Sequence, residues 1–119
     1  MVNGVTALVL AAIVWTGCSH KPEVRPPSIV VACADANFYV DHIHWRSWGA
    51  RGAAGTGTAH RNDCTPNCAA GHFHASTVTV RLSKVVTCVK GRREFARISW
   101  GDGAANAETL PCSFLRLKP

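Results

Sequence analysis

Acidic residues are scarce in this chain of 119 residues: seven Asp and Glu stand against thirteen Lys and Arg, for a formal net charge of +6 with the histidines neutral. There is one Met and one Tyr, and no apolar run reaches the eighteen or so residues that a membrane-crossing helix needs. No G-x-S-x-G elbow exposes a serine nucleophile. So few acids offer no carboxylate pair with the context of glycoside hydrolysis. No internal repeat is present, which excludes solenoids and propellers. The length leaves no room for a two-domain enzyme or a Rossmann fold. Low charge, 17%, with 47% hydrophobic residues excludes a disordered chain. What remains is one small globular domain without a catalytic signature, expected not to be an enzyme and to need no cofactor.

Six cysteines in so short a chain point to an oxidising compartment or a metal site. The first eighteen residues favour export. Residues 5–15 are apolar except for Thr6, the length of a signal-peptide core and about half of what a bilayer of roughly 30 Å requires. The run ends in Trp15-Thr16-Gly17-Cys18, followed by Ser19-His20-Lys21-Pro22. That junction resembles a bacterial lipobox, although Trp15 stands where the motif usually carries leucine and residues 1–4 are not basic. The expected division is a lipoprotein-type signal peptide over 1–17, an acylated Cys18 with a Pro-rich extended tether over 18–28, and one β-rich domain over 29–119. The alternatives are ordinary secretion with the segment removed, and a cytosolic protein whose first segment is a buried helix or strand.

Beyond the tether the chain reads as short strands. Residues 29–33 are β-branched, and residues 37–48 alternate. Residues 49–58, rich in Gly and Ala, read as a bulged or edge strand. Residues 62–71 are loop chemistry. Residues 76–89 alternate most clearly, with Val78, Val80 and Leu82 on one face and Thr77, Thr79 and Arg81 on the other. Gly91 marks a turn, residues 92–100 form another strand, 104–109 a helical turn and 113–117 a last strand. The fold class implied is all-β, a small antiparallel sandwich or barrel stabilised by disulfides.

Several segments, Ala32-Cys33-Ala34-Asp35-Ala36-Asn37-Phe38-Tyr39, Trp45-Arg46-Ser47-Trp48-Gly49, Gly55-Thr56-Gly57-Thr58 and above all Asn62-Asp63-Cys64-Thr65-Pro66-Asn67-Cys68-Ala69-Ala70-Gly71, together with Val78-Thr79-Val80-Arg81-Leu82, resemble a family of small secreted or lipid-anchored proteins of high-GC Gram-positive bacteria. The resemblance spans roughly 31–100. It implies export and a β-rich domain, and it carries over no catalytic residue.

With Cys18 acylated, five cysteines remain. Spacing leaves the connectivity open: Cys64 and Cys68 can bridge locally, or each can tie the loop to a different strand. The expectation is two bridges among Cys33, Cys64, Cys68 and Cys88, with Cys112 unpaired. A metal reading competes. Cys64, Cys68, His72 and His74 form a C-x₃-C-x₃-H-x-H cluster with His60 upstream, but three residues between the ligand pairs make a tetrahedron cramped. A histidine-only set, His42, His44, His72 and His74, avoids the thiols by placing two H-x-H pairs on strand faces. A nucleophilic reading would set Cys112 against a histidine.

Lys90, Arg92, Arg93 and Arg97 give a basic hairpin, suited on an exported protein to anionic lipid headgroups or wall polymers, or simply to solvent, and not to nucleic acid. Trp45, Trp48 and Trp100 would serve as a carbohydrate platform or as core. The reading that follows is a lipoprotein on the outer face of a bacterial cell membrane, held there by its lipid. It acts as a non-catalytic module binding an envelope protein or cell-wall polymer. The alternatives are a histidine-based zinc or copper binder and a secreted inhibitor or protein ligand.

Overall fold

The computed structural model describes residues 12–19, 21–101, 107–108 and 112. The first eleven residues of the expected leader and the expected strand over 113–117 lie outside the described residues. Alternating sequence becomes strand wherever one face can be covered. The strands are β1 (Ile29–Val30), β2 (Phe38–Gly49), β3 (Gly52–Asn62), β4 (Phe73–Thr87), β5 (Arg93–Trp100) and β6 (Ala107–Glu108). They lie in sequence order, each antiparallel to the next. The chain is thus all-β, as its strand signals predict, and the meander forms one curled sheet.

The inner face carries the core. Phe38, Val40 and Ile43 of β2, Ala53 and Ala59 of β3, Val80 and Leu82 of β4, and Phe95 and Ile98 of β5 form one buried cluster. Trp45, Trp48 and Trp100 pack against it, so the tryptophans are core residues and supply no platform. Trp45 and Trp48 meet edge to face at 5.0 Å, Trp48 meets Phe95 at 5.3 Å, and Phe38 meets Trp100 at 4.8 Å.

Residues 49–58 are not an edge. Gly49 ends β2, residues 50–51 make the turn, and residues 52–58 lie in β3, a central strand paired on both sides. Their glycines answer to β2, whose register shifts between Asp41 and His44 and again between Trp45 and Ser47. The bulges press β2 onto β3. A Cβ on Gly55 would lie 2.7 Å from the His44 carbonyl oxygen, and one on Gly57 would lie 2.9 Å from that of Asp41 and from Val40 Cγ1. Residues 107–108 of the expected helical turn form β6 instead, pairing Glu108 with Arg97 and Ala107 with Ile98. The open edge of β5 supplies hydrogen bonds that a single short helical turn, with its costly nucleus, does not.

Residues 12–16 of the expected leader, and Pro26 and Pro27 of the expected tether, rest on the sheet. Ile13 and Trp15 are 4% and 3% exposed. Pro26 is buried, its carbonyl accepting from Trp45 Nε1 at 2.8 Å, while Ile43 in the first bulge donates its N–H to Pro27 at 3.0 Å. The apolar surface of β2 and the N–H released by its bulge explain why residues 21–28 lie against the domain.

All six cysteines are bridged: Cys18–Cys33, Cys64–Cys68 and Cys88–Cys112. Two expectations change. Cys112 is not free, because β6 brings the chain back beside the end of β4, where the two Cα atoms are 5.7 Å apart. Cys33 pairs with Cys18, not within the expected four. A thioether at Cys18 would use the same sulfur, so one molecule carries the bridge or the lipid. Three disulfides in so small a domain fit an extracytoplasmic compartment.

Because a backbone carbonyl cannot yield as a side chain can, Gly57→Ala should destabilise the fold by about 1–3 kcal/mol in urea denaturation. An unchanged midpoint would show that β2 is free to lift from β3.

Candidate functional site

Residues opposite one another in an antiparallel pair share a face. On the outer face Tyr39 stands opposite His60, Asp41 opposite Thr58, and Thr58 opposite Thr77. Thr56 and Thr79 continue the row, and Arg46 Nη1 donates to Thr56 Oγ1 at 3.2 Å. The outcome is a polar face over β2–β4 with an aromatic end. The Tyr39 and His60 rings stack at 4.6 Å with 14° between their planes, and Phe73 meets Tyr39 at 5.9 Å. Phe73 is 49% exposed, a large apolar ring left in water.

Asp41 is the polar centre of this end. Its Oδ1 accepts from His60 Nε2 at 2.8 Å and pairs with His42 Nδ1 at 3.0 Å. These hydrogen bonds, His42 first and His60 second, hold its carboxyl below the usual carboxylate range. The site therefore offers an acceptor fixed as the anion, an imidazole edge and two aromatic rings. His42 reaches Asp41 from inside the bulge, with φ of 52°.

The loop between β3 and β4 frames the site and explains the most specific motif of the sequence. Asn62, nearly buried, donates Nδ2 to Asn37 Oδ1 and to the Cys68 carbonyl, both at 2.9 Å, and accepts from the Cys64 N–H at 2.9 Å. Asp63 Oδ1 accepts from the N–H groups of Thr65 and His72, each at 3.1 Å, while Oδ2 accepts from His74 Nε2 at 2.9 Å. Gly71 is required because a Cβ there would collide with Asn62 Oδ1 and sit 2.9 Å from Asp63 Oδ1. The Cys64–Cys68 bridge closes the turn locally. Each named residue of the motif has a task within the loop itself.

The histidine-only metal set is not assembled. His42 sits inside the bulge with its Nδ1 on Asp41, and His44 pairs with Thr56. His72 precedes β4, and His74 is committed to Asp63. The described residues bring one group of three donor atoms within 4.8 Å, that of Cys88, Glu94 and Cys112, and its two sulfurs are bonded to each other. The mixed set with Cys64 and Cys68 has lost both thiolates to their bridge. A Cys–His nucleophile likewise lacks its thiol, since no cysteine is free.

The basic hairpin is not one exposed patch, because Arg92 turns to the fully buried Glu94, with Nη2–Oε2 at 2.7 Å. At the far end of the outer face an open hollow of about 670 Å³ includes Trp48, Arg51, Arg81 and Ser99 in its lining. Among the described residues no helix is long and apolar enough to cross a membrane. Tyr39, Asp41 and Phe73 went unassigned by sequence reasoning, and His60 entered only beside the mixed metal set. Tyr39 and Asp41 alternate visibly along β2, but their meeting with His60 of β3 and Phe73 of β4 depends on register. No family model, curated protein or solved structure matches the chain.

The hydrogen bonds of His74, and then of the His72 and Thr65 N–H groups, lower the Asp63 carboxyl to about 2. The folded value lies below the unfolded one near 3.9, so its contribution to loop order is complete above about pH 4 and lost as pH falls through the folded value. A carbon-detected NMR titration of Asp63 should give a midpoint of about 2, raised by His74→Ala. An identical midpoint in that variant would assign the whole shift to the backbone donors.

Proposed function

We propose that this is an exported, non-catalytic binding module of the bacterial envelope, and that it holds a cell-wall polymer on the outer face of β2–β4. The observation that carries the reading is the exposed Phe73 ring beside the Tyr39–His60 stack and the ionised Asp41. A sugar ring presents a C–H face to an aromatic side chain and hydroxyls at its rim. Asp41 accepts from such hydroxyls, and the neighbouring threonine row supplies further partners. An open face suits a long polymer better than a small substrate, which a pocket would enclose. The disulfides, the apolar N-terminal run and the family resemblance support export.

Binding is tested by sedimentation with purified cell-wall sacculi and by affinity electrophoresis in soluble wall polysaccharide. Phe73→Ala and Tyr39→Ala should each weaken retention tenfold or more while leaving the thermal midpoint within a few degrees. Retention that is absent from the wild type, or equal in the variants, removes the outer face from the function.

Attachment to the membrane through Cys18 belongs to the same reading and is tested separately. Intact mass of the protein from an exporting host should show residues 1–17 removed and Cys18 acylated, with Cys33 open to alkylation. Cys18→Ser should then release the protein from the membrane fraction. A mass containing the Cys18–Cys33 bridge, or tight membrane association that survives Cys18→Ser, overturns the anchor.

A further inference from the structure

Residues 13–16 occupy a slot that provides partners for the main-chain groups they present. On one side the Val14 N–H donates to the Arg93 carbonyl and the Val14 carbonyl accepts from the Phe95 N–H, both at 3.0 Å. On the other, Trp15 exchanges a pair of hydrogen bonds with Glu23, both at 2.9 Å. Trp48 Nε1 donates to the Ile13 carbonyl at 2.7 Å. The Ile13 and Trp15 side chains are buried in the core cluster. At the slot's end Glu94, wholly buried, accepts from Arg92 Nε at Oε2 and from the Thr16 hydroxyl at Oε1, both at 2.9 Å. This short segment is held as a strand between the β5 edge and residue 23.

Removal of residues 1–17 on export would take every one of these partners away. The Arg93 carbonyl and Phe95 N–H would become an open strand edge, the Trp48 indole would lose its acceptor, and two apolar sockets would face water. Glu94 Oε1 would lose the Thr16 hydroxyl that donates to it, a costly loss because the group is charged. Such an edge, flanked by sockets for alternate side chains, is the arrangement by which proteins capture an extended peptide as an added strand.

We propose that in the processed protein this slot captures an extended segment of a partner protein with the pattern apolar–x–aromatic–hydroxyl. The proposal rests on the export reading for the opening of the slot. The edge of β5 supplies affinity without regard to sequence, and the sockets of Ile13 and Trp15 select the side chains two apart. Glu94 selects Ser or Thr at the last position, where an acid would meet a buried carboxylate.

The test uses a fluorescent peptide of residues 12–17, Ala-Ile-Val-Trp-Thr-Gly. It is titrated into the full chain, into the protein processed by an exporting host, and into full-length Trp15→Asp, which expels the segment without processing. Saturable binding is expected for the last two and at least tenfold weaker binding for the wild-type full chain. Replacing the peptide's Trp by Ala, or its Thr by Val, should each cost tenfold or more. Where an emptied form does not fold alone, peptide added during refolding should restore its β-sheet circular dichroism. Folded, emptied protein that ignores the peptide, or unfolded protein that it does not restore, overturns the slot. An intact mass showing residues 1–17 retained refutes export alone, because the Trp15→Asp titration still decides whether the slot accepts a strand.

Discussion

The close approach of β2 to β3 governs most of what surrounds it. At Gly55 and Gly57 there is no room for a Cβ between the strands, because the two bulges of β2 push its carbonyls across β3. Those bulges send Trp45 and Ile43 inward, and with them the hydrogen bonds that hold residues 26 and 27 against the sheet. They also turn His42 back onto Asp41. Core packing, the seating of the N-terminal segment and the polarity of the candidate site thus follow from one local departure from regular pairing. Bulges commonly re-aim side chains next to functional surfaces, and here one bulge serves both faces.

The two faces divide the work. The inner face is filled by side chains from five consecutive strands, β1 to β5, and by Ile13 and Trp15, a dense arrangement for a domain with little apolar volume. The outer face needs nothing from the core and keeps threonines, Asp41 and His60 available. The β3–β4 loop stiffens one end of that face by satisfying its own donors and acceptors through Asn62 and Asp63. A rigid, self-contained loop beside an open polar surface suits binding, where ordering costs on association must be small.

Much of this was legible in the residues. Alternation over 76–89 and 92–100 marked β4 and β5, and six cysteines marked a stapled domain. The Gly-Thr-Gly-Thr run misled because glycine reports a close neighbour without saying which strand it is. Cys112 read as unpaired because its partner is chosen by the β5–β6 hairpin, which no local signal announces. The four histidines looked like paired ligands from spacing alone, which does not show that His42 and His74 are each taken by an aspartate. Tyr39, His60 and Phe73 lie far apart in sequence and meet through register alone. The segment ending at Trp15 shows the deepest ambiguity, since hydrophobicity is the same whether a chain is bound for a translocon or for a core.

The three bridges join each cysteine to the next one along the chain, with separations of 15, 4 and 24 residues. A polypeptide threaded N-terminus first through a membrane pore meets an oxidant in that same order. Each pair is complete before the following one emerges, so first-come pairing and native pairing coincide.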